Sequence, residues 1–306
     1  MKKILTTLLM FFFFVQASKA KEINLIMANP PGSTSDIVMK IVGDEYTKLT
    51  GDKFIIDYQP AMNGATAAVK FTSAEKNTVL LGTTSMHVYN PVLEKDLPYK
   101  DSDFSYMTVL AWSPAIYISS AESNIKNADD LFKNLHLSQK PFIGGYAVAF
   151  NLSIDLLKNA GKLDKKVEVV PYKGAPDILV HVLNNTIPVG LVAPTPNLFQ
   201  LAAEKKINIL GSTAPDDFSK DGINVVSISK KYGVQQTNGG MMLSLKPNAD
   251  PKFKKEFEEN LRKVLTSDTA KEQFKKINVV SANVIGEAEV KLEVDKYRKS
   301  ISNLKK

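Results

Sequence analysis

The chain alternates short apolar runs with stretches whose apolar residues recur at helical spacing. The first unit has an apolar run at 23–28, a polar turn at 29–36 and apolar residues at 37, 38, 41, 42 and 49. This pattern predicts a strand, a turn and a helix. The same order returns at 54–74 and 78–93, with turns rich in Gly, Asn, Ser or Thr. The alternation predicts a mainly parallel sheet covered by helices on both faces.

The turn of the first unit has the features of a helix start. Pro30 and Pro31 end the strand, Gly32 permits a left-handed backbone, and Ser33 with Asp36 three residues later matches a capping box. We expect its backbone amides to face outward at the positive end of the helix dipole, where an anion binds without a charged side chain. A turn whose hydroxyl groups only cap the helix is the alternative interpretation.

The second half of the chain repeats the alternation. Strands are predicted at 141–143, 167–170, 187–193 and 207–210, and residues 108–120 carry one or two more. A last strand at 241–245 precedes an amphipathic helix at 253–265 and a helix at 287–304. Two α/β blocks of similar size predict two lobes, with the C-terminal tail packed on the first lobe. Turns at the carboxyl ends of strands would then line a cleft between the lobes.

The first 20 residues predict a secretory signal peptide. Lys2 and Lys3 precede an apolar core at 4–15, and Ser18 and Ala20 occupy the small-residue cleavage positions. We therefore expect cleavage near Ala20 and an exported chain. The absence of cysteine excludes disulfides, a lipid anchor on cysteine and thiolate chemistry.

The charge pattern does not favour nucleic-acid binding. Removing residues 1–20 takes three of the 39 basic residues and none of the 32 acidic ones, which leaves a net charge of +4. The only arginines, Arg262 and Arg298, lie near the C-terminus, and the lysines are spread along the chain. A nucleic-acid surface needs clustered basic residues with stacking aromatics.

The chain shows no recognisable catalytic apparatus. It has three histidines and lacks the Gly-x-Ser-x-Gly, His-Glu-x-x-His, acidic calcium-loop and dinucleotide-binding patterns. We therefore predict no enzyme activity, no metal and no cofactor. His87 is interpreted as cleft wall or surface, and a secreted hydrolase that uses it is a less favoured alternative.

Several segments resemble one receptor family in consistent order. The run at 30–36 resembles the Pro-Gly-Gly-x-x-Asp loop of the substrate-binding proteins of tripartite tricarboxylate transporters, the Bug receptor family. Residues 82–91, with 97–100 and 103–104, resemble that family's third ligand loop and the segment after it. Residues 171–174 resemble its second-lobe signature, and 261–265 its C-terminal helix. Ser33 replaces a glycine, 59–65 is an altered second loop, and 239–242 lacks a usual tryptophan.

The resemblance implies a two-lobed periplasmic-binding-protein fold of type II-like organisation. Two Rossmann-like α/β domains would be joined by crossing strands, with a ligand cleft between them. We assign 21–121 and 246–306 to lobe 1 and 122–245 to lobe 2. The family's function implies a periplasmic receptor that captures a small carboxylate and delivers it to membrane permease subunits of a tripartite tricarboxylate transporter. A receptor of this fold for an uncharged ligand is the alternative.

We assign the ligand-binding residues to turns of both lobes. On the first lobe, one carboxylate would be held by the first two turns and walled by the third; these residues are Gly32, Ser33, Thr34, Asn63, Gly64, Ala65, Thr83, Thr84 and Ser85. On the second lobe, the far end of the ligand would meet Tyr146, Phe150, Tyr172, Lys173 and Thr195. Asp36 is expected to cap the helix and fix the first loop without touching the anion.

Overall fold

A computed structural model describes residues 20–277 and 279–302 of the chain. The predicted signal peptide therefore lies outside the described residues, apart from Ala20. Within the described ranges, no helix has the length and apolar character needed to cross a membrane.

The elements follow one another as strands and helices along the whole described chain. In the first part they are β1 (Glu22–Met27), α1 (Thr34–Thr50), β2 (Lys53–Tyr58), α2 (Ala65–Ser73), β3 (Val79–Thr83), α3 (Asn90–Leu93), β4 (Ser105–Ser113), β5 (Ile116–Ser120) and α4 (Ala128–Asn134). They continue with β6 (Phe142–Gly145), α5 (Val148–Asn159), β7 (Glu168–Pro171), α6 (Ala175–Leu183), β8 (Val189–Val192), α7 (Pro196–Ala203) and β9 (Ile207–Ser212). The last are β10 (Phe218–Lys220), β11 (Ile223–Val225), α8 (Ile228–Tyr232), β12 (Gly239–Leu245), α9 (Pro251–Thr266), α10 (Asp268–Lys276), β13 (Val280–Ile285) and α11 (Glu287–Ser302). Short 3₁₀ turns occur at Met62–Gly64, Asp101–Asp103 and Leu135–Leu137, and a π-helical turn at Ser85–Tyr89.

Two main sheets confirm the predicted two-lobed α/β organisation. The first sheet has the order β13-β4-β12-β3-β1-β2, and the second has the order β7-β6-β8-β5-β9. In the first sheet β1 pairs in parallel with β2 and β3, and in the second β6 pairs in parallel with β7 and β8. The carboxyl ends of each parallel set therefore lie at one edge of their sheet.

The prediction of mainly parallel sheets is wrong for the strands next to the crossings. β12 runs antiparallel to β3 and β4, β13 runs antiparallel to β4, and β5 runs antiparallel to β8 and β9. The reason is that the chain leaves the first sheet after β4 and returns through β12. A strand that re-enters from the other lobe arrives from the opposite direction.

The crossings also differ from the lobe boundaries predicted from the sequence. The chain changes sheet between Ser113 and Ile116, so β5 pairs within the second sheet although residues 116–120 were assigned to lobe 1. It changes back before Gly239, so β12 pairs within the first sheet although 239–245 were assigned to lobe 2. The tail packs on the first lobe as predicted, because β13 joins the first sheet and α11 contacts β4.

The apolar pattern accounts for α1 and its position on the first sheet. Val38, Met39 and Val42 are buried in the core formed with β1, β3 and β12. Gly51 ends the helix in the left-handed region, with its amide bonded to the Thr47 carbonyl oxygen. The helix also contacts α9, and its N-terminus lies at the carboxyl edge of the sheet because the turn before it follows β1.

Candidate functional site

Three turns of the first lobe lie side by side at the carboxyl edge of the parallel strands. The Gln59 amide donates to the Met27 carbonyl oxygen at 2.8 Å, and the Ala28 amide donates to the Leu81 carbonyl oxygen at 3.0 Å. These bonds continue the pairing of the parallel strands β1, β2 and β3, so that the turns after them begin at neighbouring positions of the same edge. Of the nine first-lobe residues assigned from the sequence, Thr83 is the last residue of β3, and the other eight lie in these turns or at the helix starts that follow them.

The first turn caps α1 as predicted, but its free amides are not the ones expected. The Asp36 amide donates to the Ser33 hydroxyl at 3.3 Å, while the Gly32 amide donates to the Asp36 carboxylate at 2.7 Å and the Ser33 amide to the Pro30 carbonyl at 3.3 Å. The expectation that the Gly32 and Ser33 amides face an anion is therefore wrong, because both amides donate hydrogen bonds to acceptors within residues 30–36.

The unpaired donors are one step further along the chain. Within the described residues, the amides of Thr34 and Ser35 have no hydrogen-bond partner. Thr34 was assigned to the site from the sequence and Ser35 was not. Both occupy the first turn of a 17-residue helix, where backbone N–H groups and the helix dipole attract anions.

Asp36 is the buried anchor of the first turn, as predicted. Its carboxylate accepts hydrogen bonds from the Gly32 amide, from the Tyr58 hydroxyl at 2.7 Å and from the Lys40 ammonium at 2.9 Å. Burial alone would raise the pKa of this carboxyl, but these three donors outweigh it and hold the pKa below its usual value. Tyr58 is bonded to this carboxylate, which raises the pKa of the phenol to about 12.

The second turn holds its own amides inside the loop. The Gly64 amide donates to the Ala61 carbonyl oxygen at 3.0 Å, and the Ala65 amide donates to the Met62 carbonyl oxygen. Gly64 lies against Met86, with a φ of 94° that suits glycine. Asn63 is exposed, so of the three residues assigned here its side chain is the one available to a ligand.

The third turn leads into the π-helical turn Ser85–Tyr89. The Thr83 hydroxyl accepts from the Met86 amide at 3.3 Å, and the Thr84 hydroxyl donates to the Asn238 carbonyl oxygen at 3.5 Å. Thr84 and Ser85 are buried, and the Ser85 hydroxyl has no partner within the described part of the chain. A π-turn next to a strand end is common at functional sites.

The second-lobe residues lie at the carboxyl edge of the second sheet. The Tyr146 hydroxyl accepts from the Ala193 amide at 3.2 Å, and the Tyr146 ring meets Phe150 edge-on with centroids 5.4 Å apart. The Thr195 hydroxyl accepts from the Leu198 amide and caps α7. Each hydroxyl therefore keeps its own proton for a ligand acceptor.

The other two second-lobe residues follow β7. The Tyr172 amide donates to the Gly145 carbonyl oxygen at 2.9 Å, so this turn is tied to the one after β6. Lys173 is exposed and, among the described residues, has no ion-pair partner. Burial raises the pKa of Tyr146 to about 12, so its hydroxyl stays protonated at neutral pH.

A crossing segment that sequence reasoning missed connects the two sets of turns. A side chain at Gly240 would come within 2.6 Å of the Thr84 methyl carbon, and one at Gly239 within 3.3 Å of the Phe150 ring. The Thr84 side chain of the first lobe therefore packs against Gly240, and the Phe150 ring of the second lobe packs against the preceding residue, Gly239. The Asn238 carbonyl oxygen accepts from Thr84, and its side-chain oxygen accepts from the Thr213 hydroxyl at 2.8 Å. The consecutive glycines in the sequence were the only signal for this close approach.

His87 lies neither in the cleft wall nor on the surface. The residue is 1% exposed, and its ring meets Phe104 and Tyr106 edge-on, at 4.8 and 5.1 Å between centroids. Neither ring nitrogen has a partner within the described chain. Burial, with the Arg298 charge, lowers the pKa of His87 to about 3, so the ring is neutral. A buried ring of this kind cannot serve as the base of the hydrolase alternative.

The arginines do not supply the site with charge. Arg298 donates to the His87 carbonyl oxygen and pairs with Asp101 at 2.6 Å, while Arg262 donates to the Ile285 carbonyl oxygen at 2.8 Å. Within 20–277 and 279–302, no group of histidine and acidic residues is arranged to hold a metal ion. The donors at the site are therefore amides, hydroxyls and Lys173.

Several solved structures with a similar fold are periplasmic binding proteins. BugD covers 93% of this chain and 96% of its own, with a TM-score of 0.81 at 13% identity. A Rhodopseudomonas palustris protein determined with adipate has a TM-score of 0.82 at 18% identity, covering 94% and 96% of the two chains. MatC from Rhodopseudomonas palustris, determined with bound malate, has a TM-score of 0.78 at 14% identity, covering 93% and 99%.

The chain has the fold of the Bug-type receptors. No protein-family model matches it. Its sequence relatives include UPF0065 proteins, which are Bug proteins: one from Bordetella bronchiseptica is 25% identical over 187 residues, and one from Cupriavidus necator is 22% identical over 268 residues. These matches cover 58% and 85% of this chain. The resemblance to the Bug family recognised in the sequence is thereby confirmed.

The sequence matches cover only part of each relative's length. The chain spans 56% of the length of the Bordetella protein and 61% of a UPF0065 protein from a Pseudomonas strain, against 79% of the Cupriavidus protein. The Bug fold is therefore established over nearly the whole chain by structure, while the sequence relationship is distant.

Proposed function

We propose that this protein is a periplasmic receptor that captures a small carboxylate between its two lobes. The observation that carries the proposal is the pair of unpartnered amides, Thr34 and Ser35, at the start of α1. They lie at the edge where the three first-lobe turns meet. Bug-fold proteins determined with adipate and malate support a carboxylate as the ligand.

The energetics of such a site are sufficient without an arginine. A hydrogen bond from an amide to an ionised oxygen contributes about 1.5–3 kcal/mol net. Two such bonds, with the Tyr146 and Thr195 hydroxyls and the Lys173 ammonium at the far end, give micromolar binding after the cost of association. A ligand that contacts both lobes favours the closed arrangement by the additional contacts it makes there.

We further propose that the receptor acts outside the cytoplasm and delivers its ligand to a membrane permease of the tripartite tricarboxylate type. The signal-peptide pattern of residues 1–20 and the periplasmic origin of BugD support this location. The predicted role is capture and delivery with no chemical step. The buried His87 agrees with that role, because the ring most suited to base catalysis cannot reach a ligand.

Calorimetric titration of the chain from Lys21 onward tests the proposal. The titrants are mono-, di- and tricarboxylates, together with amino acids and amides of matched size. We expect saturable binding of at least one carboxylate, which at a hundred times its Kd adds about 2.7 kcal/mol to the free energy of unfolding. Binding of an amide, with no carboxylate bound, would replace this proposal by the receptor for an uncharged ligand.

A further inference from the structure

The turn between β2 and α2 presents the most exposed large apolar side chain of the described residues. Met62 is 75% exposed, ahead of Leu137 and Leu292 at 73%. A single exposed apolar residue on a convex surface needs no explanation. Met62 differs from the other two because of its backbone and because of its position.

The backbone at Met62 is in a region that methionine avoids. Met62 and Asn63 both have a φ of 51°, and Gly64 follows with a φ of 94°. Glycine and asparagine adopt the left-handed region readily, but methionine has neither the freedom of glycine nor a side chain that hydrogen-bonds the local backbone. Strained residues of this kind cluster at ligand clamps.

The surrounding contacts hold the turn in this conformation. The Gly64 and Ala65 amides bond within the turn, Asn90 donates to the Asn63 carbonyl oxygen at 3.5 Å, and Met86 packs against Gly64. The contacts from Met86 and Asn90 therefore support the positive φ values of this turn, from which the Met62 side chain projects into solvent.

The position of the turn relates Met62 to the candidate site. The Gln59 amide, just before the turn, bonds to the Met27 carbonyl oxygen at the end of β1, and the Asn63 carbonyl oxygen accepts from Asn90 at the start of α3. The turn therefore lies at the carboxyl edge that also carries the Thr34 and Ser35 amides. Those amides are polar, and Met62 is an exposed apolar side chain at the same edge of the sheet.

We propose that Met62 is a specificity-determining residue that covers the hydrocarbon part of the bound carboxylate. This inference rests on the proposed function. The thioether side chain is flexible and polarisable, so it packs against aliphatic chains of different length. Receptor affinity should therefore rise with the number of methylene groups in the ligand, by up to about fourfold for each methylene covered.

The test compares wild type, Met62→Ala and Met62→Gly in calorimetric titrations with unbranched saturated mono- and dicarboxylates of increasing length. Both variants should bind the shortest acid that wild type binds with unchanged affinity, and both should lose most of the increase with chain length. The two variants should also differ in Tm: Met62→Gly should melt above Met62→Ala, because only glycine relieves the strained φ. This order is the reverse of that at an ordinary position.

A matched control uses Lys205, whose φ is 57° in the exposed turn after α7. Lys205→Gly relieves a similar strain far from the first-lobe turns and should leave the chain-length dependence as in wild type. If wild type binds the acids and the dependence persists in Met62→Ala, this inference is overturned while the proposed function stands. If no acid binds wild type, the proposed function fails and the inference fails with it.

Discussion

Removal of the Asp36 carboxylate should destabilise the first lobe strongly. Asp36→Ala leaves the Gly32 amide and the Tyr58 hydroxyl without their acceptor; both bonds are 2.7 Å long and made to a carboxylate that is fully buried. Each bond to a charged group contributes about 1.5–3 kcal/mol. The Lys40 bond adds little, because that side chain is 60% exposed. We therefore expect a loss of about 3–5 kcal/mol in the free energy of unfolding.

A double-mutant cycle with Tyr58→Phe isolates the hydrogen bond from the Tyr58 hydroxyl to Asp36, whose partners are the farthest apart in the sequence. The two residues are 22 positions apart, so the cycle measures a tertiary contact between β2 and α1. Tyr58→Phe alone should lower the free energy of unfolding by about 1.5 kcal/mol. In the Asp36→Ala background the same substitution should lower it by nearly nothing, which gives a coupling energy of about 1–2 kcal/mol.

Urea denaturation followed by tryptophan fluorescence is the assay. Trp112, the only tryptophan of the chain, lies on β4 of the first sheet, with its ring 5.0 Å from Tyr297. The depressed pKa of Asp36 means that its contribution is fully present above the unfolded-state pKa of about 4 and is lost as pH falls through the folded-state pKa. The difference between wild type and Asp36→Ala should therefore shrink on acidification below about pH 4. A variant within 1 kcal/mol of wild type, or a coupling energy of zero, would refute the anchoring role.

Two further predictions concern the neighbourhood of the site. Between pH 6.5 and about 3 the unfolded chain binds a proton at His87 and the folded chain does not, so wild-type stability should fall by about 2 kcal/mol from pH 6.5 to 5. His87→Leu should remove that part of the slope in urea titrations, and an unchanged slope would show that His87 does not cause it. Gly240→Ala should cost about 1–3 kcal/mol and weaken carboxylate binding, because its new carbon would lie 2.6 Å from the Thr84 methyl carbon and 2.9 Å from the Trp112 ring. Wild-type affinity and Tm in that variant would disprove the close approach.

The alternation of apolar patterns was enough to predict the strands and helices that carry the site. β1, β2 and β3 begin within one residue of positions 23, 54 and 78, where the three predicted units begin. These strands have strong local signals, because each ends in a turn containing Gly, Asn, Ser or Thr. The hairpin β10–β11 was missed because its strands have only three residues each, and the helix α10 because it has only two buried apolar residues, Ala270 and Phe274, among charged ones.

The parts of the site that depend on distant partners were beyond local patterns. The Gly32 amide is turned away from a ligand by Asp36, whose carboxylate is fixed in turn by Tyr58 on another strand. His87 is buried because two aromatic residues that follow the next loop enclose its ring. The sequence could not predict which sheet β5 and β12 join, because an apolar strand has the same residue pattern in either lobe.

Calorimetric titration of Thr34→Pro, with the carboxylate that binds wild type best, tests the central claim most directly. Proline at the first position of α1 removes the Thr34 N–H, and the extended backbone of Ser33, with ψ of 162°, accommodates it. We expect a loss of affinity of about 10- to 150-fold, little change for Thr34→Ala, and none for Asp268→Pro, which removes the corresponding N–H of helix α10, outside the first-lobe turns. Wild-type affinity in Thr34→Pro would contradict capture of the carboxylate by the amides at the start of α1.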